Sequence, residues 1–163
     1  MYRFFGSVIT LTLGSPVNYS EKVLIKEIPD EEYKIMREEC DSGSYKILKF
    51  SLYSEDKLLS FIYGYIKNKN TFQIRRIENV TRNDEDKVPG SKTLPLILEE
   101  MEFELKQLGV ERLTTNAIAS IAPLIVQRYG FSEIYGKTYE QLQNDWFKRI
   151  PFIAVGLEKQ LTD

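Results

Sequence analysis

The sequence predicts one domain of mixed α/β class, an α+β arrangement in which helices flank a mixed sheet of about six or seven strands. Three strand-like segments, 45–53, 58–66 and 71–80, are separated only by short polar turns, a pattern typical of consecutive antiparallel hairpins. A strongly amphipathic helix is predicted over 93–108. Strand and helix patterns alternate after it, so both parallel and antiparallel neighbours are expected.

The composition is that of a globular domain, and the net charge bears on the class of binding partner. The 163 residues are 42% hydrophobic and 28% charged, as in ordinary globular proteins. A formal net charge of −2 gives no electrostatic reason to expect nucleic acid as a partner. One basic group is interpreted mainly as a solvated face, with a specific anionic partner as the alternative: Lys46, Lys49, Lys67, Lys69, Arg75 and Arg76.

Histidine is absent and Cys40 is the one cysteine. The chain therefore lacks the commonest metal ligand, cannot form an internal disulfide, and cannot pair a serine or cysteine nucleophile with histidine. We expect no metal site and a cytoplasmic location. No membrane partner is expected, because no apolar run approaches the roughly 20 residues that span a bilayer. Residues 1–20 are expected to add a strand-like segment, since Ile9, Leu11 and Leu13 alternate with threonines.

The first predicted elements are a strand over 23–28 and a helix that begins at Asp30 and ends at Ser42-Gly43. Aspartate is a favourable residue at a helix N-terminus, because its carboxylate accepts hydrogen bonds from free backbone N–H groups. The apolar face of this helix carries Tyr33, Met36 and Cys40. The three hairpin strands follow it.

The helix over 93–108 is the clearest prediction. Its apolar positions form one continuous stripe, made of Leu94, Ile97, Leu98, Met101, Leu105 and Leu108. Pro95 is expected in the first turn, where a missing N–H costs no intrahelical hydrogen bond. Gly109 is expected to end the helix.

Four further elements are predicted: a strand over 110–117, a helix that begins after Ser120, and strands over 131–135 and 151–157. The apolar residues of this helix are Ala122, Leu124, Ile125 and Val126, and it is expected to end at Tyr129-Gly130. Trp146-Phe147 lies between the last two strands. It is interpreted as core, substrate wall or dimer contact.

A polar loop with the sequence Lys-Val-Pro-Gly-Ser-Lys, residues 87–92, leads directly into the long helix. Free backbone N–H groups and the positive end of the helix dipole meet at such a junction, so an anion such as phosphate can bind there. The alternative is an ordinary connection between a strand and a helix.

Two motifs within this order of elements resemble the GCN5-related N-acetyltransferase (GNAT) superfamily. The family's loop Arg/Gln-x-x-Gly-x-Gly/Ala is matched by Lys87, Gly90 and Lys92. Its Ala-x-x-Leu-Tyr-x-x-x-Gly-Phe segment is similar to residues 122–131. The resemblance covers most of the chain. It implies a single GNAT-like domain over 1–163 with the acyl-CoA N-acyltransferase fold and acetyl-CoA as co-substrate.

The resemblance also implies roles for particular residues. Binding of acetyl-CoA is implied for Asn79, Val80, Lys87, Val88, Gly90, Ser91, Lys92 and Asn116. Glu78 is the candidate general base, and an ordinary ion pair with Arg75 or Arg76 is the alternative. Tyr129 is the candidate acid for the CoA thiolate; its alternative is a packing role, and Tyr135 and Tyr139 are further candidates for the acid.

Four positions depart from the family pattern: Lys92 replaces a small residue, Pro89 removes a backbone donor, Val126 stands where many members have tyrosine, and Ala119 replaces asparagine. The resemblance implies an N-acetyltransferase that moves an acetyl group from acetyl-CoA to a small-molecule or peptide amine by direct attack. The departures favour the alternative, a catalytically degenerate GNAT-fold protein that acts as a CoA-binding sensor or protein-interaction module. The sequence leaves open the identity of the acceptor, the use of a longer acyl chain, and the formation of a homodimer, which is common in the family.

Overall fold

The computed structural model describes residues 2–4, 7–16, 28–39, 46–54, 57–68, 70–80, 90–118, 122–147 and 154–161. Its strands are β1 (Tyr2–Phe4), β2 (Ser7–Pro16), β3 (Lys46–Ser54), β4 (Lys57–Lys67), β5 (Thr71–Asn79), β6 (Arg112–Ile118), β7 (Ser132–Glu133) and β8 (Ala154–Gln160). Its helices are α1 (Asp30–Glu39), α2 (Gly90–Gln107), α3 (Ala122–Tyr129) and α4 (Tyr139–Phe147).

The described strands form one mixed sheet with the order β1-β2-β3-β4-β5-β6-β8-β7. β5 and β6 run parallel, and the other neighbouring strands run antiparallel. The predicted mixed α/β class and the consecutive hairpins are therefore confirmed. The predicted number of strands is too low, because the N-terminal segment contributes two strands to the eight-stranded sheet.

Apolar side chains cover both faces of the sheet. The main core, which includes Phe50, Ile62 and Phe72, lies on the face that α2 covers with Ile97 and Met101. A second cluster lies on the opposite face, where α1 contributes Tyr33 and Met36 as predicted, together with Ile47, Phe61, Tyr63 and Tyr65 from the strands. The sheet is thus a central layer between helices.

The long helix agrees with its predicted stripe in the middle and differs at both ends. It begins at Gly90, three residues before the predicted start, so Pro95 is the sixth residue and lies beyond the first turn. Proline at this position cannot donate to the carbonyl of Ser91, four residues earlier. Leu108 follows the helix end and is 41% exposed, so it is not part of the buried stripe. Gly109 ends the helix as predicted, with a φ of 86°.

The C-terminal part contains an element that the periodicity did not indicate. The predicted strand over 131–135 is only the two-residue β7, and the interval after it forms α4. The start of α4 is a capping box: the Gln141 N–H donates to Thr138 Oγ1 (3.2 Å), and the Thr138 N–H donates to Gln141 Oε1 (2.8 Å). Leu124, predicted on the apolar face of α3, is 40% exposed.

Several predictions lie outside the described residues: the strand over 23–27, Cys40, the helix end at Ser42-Gly43 and the cap at Ser120. Within the described part of the chain, no helix is long and apolar enough to cross a membrane.

Candidate active-site cleft

The two parallel strands separate from each other partway along their length. β5 and β6 pair through four residue pairs, from Thr71–Arg112 to Ile74–Thr115. At the last of these pairs, Thr115 Oγ1 donates a hydrogen bond of 3.5 Å to the Ile74 carbonyl. β5 continues to Asn79, and beyond Ile74 it pairs with no described residue of β6, so this edge of β5 faces the space between the two strands.

A cleft of about 530 Å³ occupies this space, at the carboxyl ends of both parallel strands. In open α/β sheets this is the usual place for a ligand. On the α2 side, Thr93 and Leu94 from the first turns of α2 and Ile125 and Tyr129 from α3 form the wall. The wall is mostly apolar, and the first turn of α2 carries no acidic residue. An extended ligand with a negatively charged end therefore fits both the shape and the helix dipole.

A β-bulge shapes the opposite wall of the cleft. Tyr63 of β4 pairs with Arg76 and Gly64 pairs with Ile74, so Arg75 has no partner in the register. Neighbouring side chains normally point to opposite faces of a strand, but the extra residue breaks this alternation. As a result, Arg75 and Arg76 both reach the α1 side of the sheet, and both line the cleft.

The two arginines make different ion pairs. Arg75 contacts both carboxylate oxygens of Glu32 on α1: Nε donates to Oε2 (3.0 Å) and Nη2 donates to Oε1 (3.1 Å), while Nη2 also lies 2.9 Å from Oε2. Arg76 instead directs both Nε (3.2 Å) and Nη2 (3.0 Å) to one oxygen, Oε2 of Glu78. The Arg75 pair ties α1 to β5 in the fork geometry that binds carboxylates well, whereas the Arg76 pair uses only part of that geometry.

The Tyr63 hydroxyl lies beneath this wall. Its side chain is fully buried, and no residue that the structure describes offers its hydroxyl a partner in hydrogen-bonding geometry. Burial raises the pKa of Tyr63 above its usual value, and the nearby Arg76 guanidinium opposes that rise. A buried hydroxyl without a partner is rare, because its desolvation is not compensated.

Three of the residues predicted for the site line the cleft: Asn79 at the end of β5, Asn116 on β6 and Tyr129 on α3. Val126, which stands at the position of the family's tyrosine, packs against the core. Tyr135, by contrast, is 87% exposed in the turn after β7, and the Tyr139 hydroxyl accepts a hydrogen bond from Gln143 (2.7 Å) on α4.

The other predicted residues lie around or outside the cleft. Glu78 is not among the described residues that line it, and its carboxylate is held by Arg76, as the alternative interpretation expected. Val80 follows β5, and its N–H donates to the Leu59 carbonyl (2.9 Å). Gly90, Ser91 and Lys92 form the first turn of α2. Lys87 and Val88 lie outside the described residues.

Sequence reasoning missed the charge of the cleft. Among the described residues, its lining contains Arg75, Arg76 and Arg128 and no carboxylate. The first two were assigned to a solvated face. Arg128 could have been found from its helical position, since it lies one turn after Leu124 and Ile125, which also line the cleft. Nothing local indicates the Arg75–Glu32 contact, which spans 43 residues. No group of three or more cysteine, aspartate or glutamate side chains able to hold a metal occurs in the described part of the chain.

The chain is similar to solved acetyltransferase structures at low sequence identity. Ribosomal-protein-S18-alanine N-acetyltransferase from Escherichia coli is 16% identical over 96% of each chain, with a TM-score of 0.59. An acetyltransferase of the GNAT family from Staphylococcus aureus is 12% identical over 95% of this chain and 100% of its own, with a TM-score of 0.53. N-acetylglutamate synthase from Neisseria gonorrhoeae, complexed with coenzyme A and N-acetyl-glutamate, is 11% identical over 96% of this chain and 36% of its own, with a TM-score of 0.54.

No family model matches the sequence, and no curated protein matches it either. The structural likenesses show the fold: this is a protein with the GNAT fold, whose cleft lies where its two parallel strands diverge. The fold predicted from the two motifs is confirmed.

Proposed function

We propose that the protein is an acyl-CoA-dependent N-acyltransferase that moves an acetyl group from acetyl-CoA to an amine. The observation that carries this proposal is the cleft between the diverging ends of β5 and β6, which combines an open strand edge with the acid-free first turn of α2. Several solved proteins of this fold are acetyltransferases, and one of them is complexed with coenzyme A.

The residues present fit acetyl-CoA. Its pantetheine arm carries amide groups that can pair with the open edge of β5 around Asn79, as an added strand would. Leu94 and Ile125 supply apolar contacts along that arm. Its phosphates suit the N-terminus of α2 at Gly90, with Lys92 adding positive charge. Arg128 on the same wall is a further cation for an anionic group.

In this proposal the two substrates bind on opposite walls of the cleft. The α2 and α3 wall holds the acyl donor. The α1 wall, with Arg75 and Arg76, receives the acceptor amine. Because the strands diverge, a donor on one side of the sheet and an acceptor on the other can meet between them, so the reacting atoms are brought together by position alone.

Two side chains are proposed to transfer the protons of the reaction. Glu78 is the proposed base, which takes a proton from the acceptor nitrogen as the new N–C bond forms and the C–S bond of the thioester breaks. Tyr129, whose side chain lines the donor wall, is the proposed acid that protonates the departing thiolate. One proton leaves the amine and one is delivered to sulfur, so the transfer is balanced without a metal or a redox partner.

One observation favours a second candidate function. Glu78 is held by Arg76 rather than facing the cleft, an arrangement that also fits a CoA-binding sensor or a protein-interaction module without turnover. The two candidates share the acetyl-CoA site and differ in the fate of the acyl group.

Calorimetric titration with acetyl-CoA tests the shared site. Gly90→Asp places a carboxylate where phosphate is expected, and a favourable aspartate at a helix N-terminus should not unfold the protein. We expect saturable one-site binding that this variant abolishes. Gly109→Asp is the matched control, since it adds the same charge at the other end of α2. Absence of binding by folded protein, or equal binding by both variants, would overturn the proposal. Acceptor-dependent release of CoA then separates the enzyme from the sensor.

A further inference from the structure

We propose that the acceptor is a free amino acid, whose carboxylate binds Arg76 and whose amine faces Glu78. This inference rests on the proposed function, because it names the substrate class of the same cleft. It is carried by the geometry of the Arg76–Glu78 pair, by the Tyr63 hydroxyl beside it, and by the contrast with the neighbouring Arg75.

Arg76 is the arginine of this wall that a ligand can reach and rearrange. Its side chain is 45% exposed, against 26% for Arg75. Arg75 is occupied in a fork that engages both oxygens of Glu32, whereas Arg76 shares a single oxygen of Glu78. A ligand carboxylate that offers two oxygens can form with Arg76 the stronger paired geometry that Glu78 does not provide.

The buried Tyr63 hydroxyl lies beside the Arg76 guanidinium and can support a second position of that side chain. Tyr63 lies directly opposite Arg76 in the β4–β5 register, and cross-strand partners point to the same face of the sheet. Its hydroxyl makes no hydrogen bond of regular geometry with a described residue, although the Arg76 guanidinium is close to it. A guanidinium that turns away from Glu78 to a ligand remains beside Tyr63, whose oxygen can then accept one of its five N–H donors.

The spacing of the two charged groups selects the kind of acceptor. Arg76 and Glu78 are two residues apart on one face of β5, about 7 Å along the strand, yet their charged groups meet at 3.0 Å. A ligand that replaces this ion pair must carry its own opposite charges close together. The ammonium and carboxylate of an α-amino acid do so, and exchanging one ion pair for another changes no net charge.

The exchange also releases the base. While Arg76 holds Oε2 of Glu78, that oxygen is engaged in two hydrogen bonds. When the acceptor carboxylate takes over the guanidinium, the ammonium of the same acceptor reaches Glu78. Glu78 accepts one ammonium proton and passes it to water, which leaves a neutral amine. The nitrogen then attacks the thioester carbonyl and gives its second proton to Glu78 as the C–S bond breaks, and the departing thiolate takes the proton of Tyr129. An amine without a carboxylate leaves the Arg76–Glu78 pair closed.

The test compares each of the standard amino acids with its own amide as acceptor, at fixed acetyl-CoA, by following CoA release. We expect at least one amino acid to exceed its amide by about tenfold or more in kcat/KM, since the lost contact is charge-assisted. Arg76→Met should reduce that ratio to about 1, mainly by raising KM for the amino acid. Arg76→Lys should keep part of the preference, because it keeps the charge and loses the fork.

Arg112→Met is the matched control. The Arg112 side chain is 40% exposed, close to the value for Arg76, and it also forms an ion pair, with Glu158. It lies at the amino end of β6, away from the cleft. It should leave the ratio unchanged. Circular dichroism and acetyl-CoA titration of each variant confirm that fold and donor site are intact.

Three results would overturn the inference while the proposed function stands: amides that react as well as amino acids, a preference that survives in Arg76→Met, or no turnover of any amino acid by protein that binds acetyl-CoA. Failure to bind acetyl-CoA is a different result, because it removes the proposed function and this inference with it.

Discussion

Replacing Gly64 by alanine tests whether the bulge beside the cleft depends on the missing side chain. A Cβ built at Gly64 would lie 2.1 Å from the backbone oxygen of Gln73 and 2.9 Å from Cζ of Phe72. The nearer atom belongs to the backbone of β5, so it cannot rotate away. The strand itself must move by about 1 Å before ordinary contact is restored.

The expected cost follows from that displacement. Overpacking of a buried site costs about 1–3 kcal/mol, and a clash with backbone in a central strand belongs at the upper end, about 3 kcal/mol. Alanine also restricts the unfolded chain, which returns about 0.5 kcal/mol. In urea, with a slope of about 2 kcal/mol per M for a protein of this size, the midpoint should fall by about 1.2 M.

Urea unfolding followed by circular dichroism measures this shift, with Gly109→Ala as the control. Gly109 has open space around it but a φ of +86°, so alanine there meets backbone strain of about 1.5 kcal/mol, and the same gain of about 0.5 kcal/mol from the unfolded chain leaves a net cost of about 1 kcal/mol. The control midpoint should therefore fall by about 0.5 M. If Gly64→Ala shifts the midpoint no more than Gly109→Ala does, the close contact between β4 and β5 is not the reason for a glycine at position 64.

Three further outcomes are expected. Ile97→Ala, at a fully buried position of α2, should lower the free energy of unfolding by about 3 kcal/mol. Phe103→Ala, on the exposed side of the same helix, should change it by less than about 0.5 kcal/mol. Equal losses in urea unfolding would contradict the assignment of the buried face of α2. A double-mutant cycle on Arg75→Ala and Glu32→Ala should give a coupling of about 1 kcal/mol, because the pair is partly exposed but engages both oxygens; additive effects would argue against the link between α1 and β5. Tyr63→Phe should leave stability unchanged or raise it by about 1 kcal/mol, since it removes a buried hydroxyl without a described partner. Burial raises the pKa of Tyr63 above 10.0, so ionisation is harder in the folded than in the unfolded protein, and stability falls as the pH rises from 10.0 through the folded value. The variant should therefore lose less stability in alkaline titration, and an identical pH dependence would contradict this.

The sequence predicts the local parts of this fold well. The strands of the hairpins were placed within a residue or two, because their turns carry strong signals such as Asn68, which adopts a φ of 56°. The middle of α2 follows its periodicity. The start of α2 was predicted too late, because Pro95 was given the first turn although a proline can also stand further inside a helix. The sequence also contains the capping-box residues Thr138 and Gln141, which indicate the start of α4.

The candidate site is harder to predict, because it depends on where strands stop pairing. Asn79, Asn116 and Tyr129 were found from motif positions, and all three line the cleft. Arg75 and Arg76 were not predicted to line the cleft, since their orientation depends on a bulge. No pattern along β5 indicates which residue lacks a partner in the register, and Glu32 lies on another element.

One local irregularity accounts for both the space and the charge of the cleft. The bulge at Arg75 comes immediately after Ile74, the last residue of β5 that pairs with β6. A bulge bends its strand and increases the local twist, so it turns the end of β5 away from β6 and opens the gap between them. The same extra residue directs Arg75 and Arg76 to one face, where Arg75 pairs with Glu32 of α1 and Arg76 is the residue proposed to bind the acceptor carboxylate. Because Gly64 permits that register, a change at a position with no side chain and no ligand contact should alter acceptor selection as well as stability.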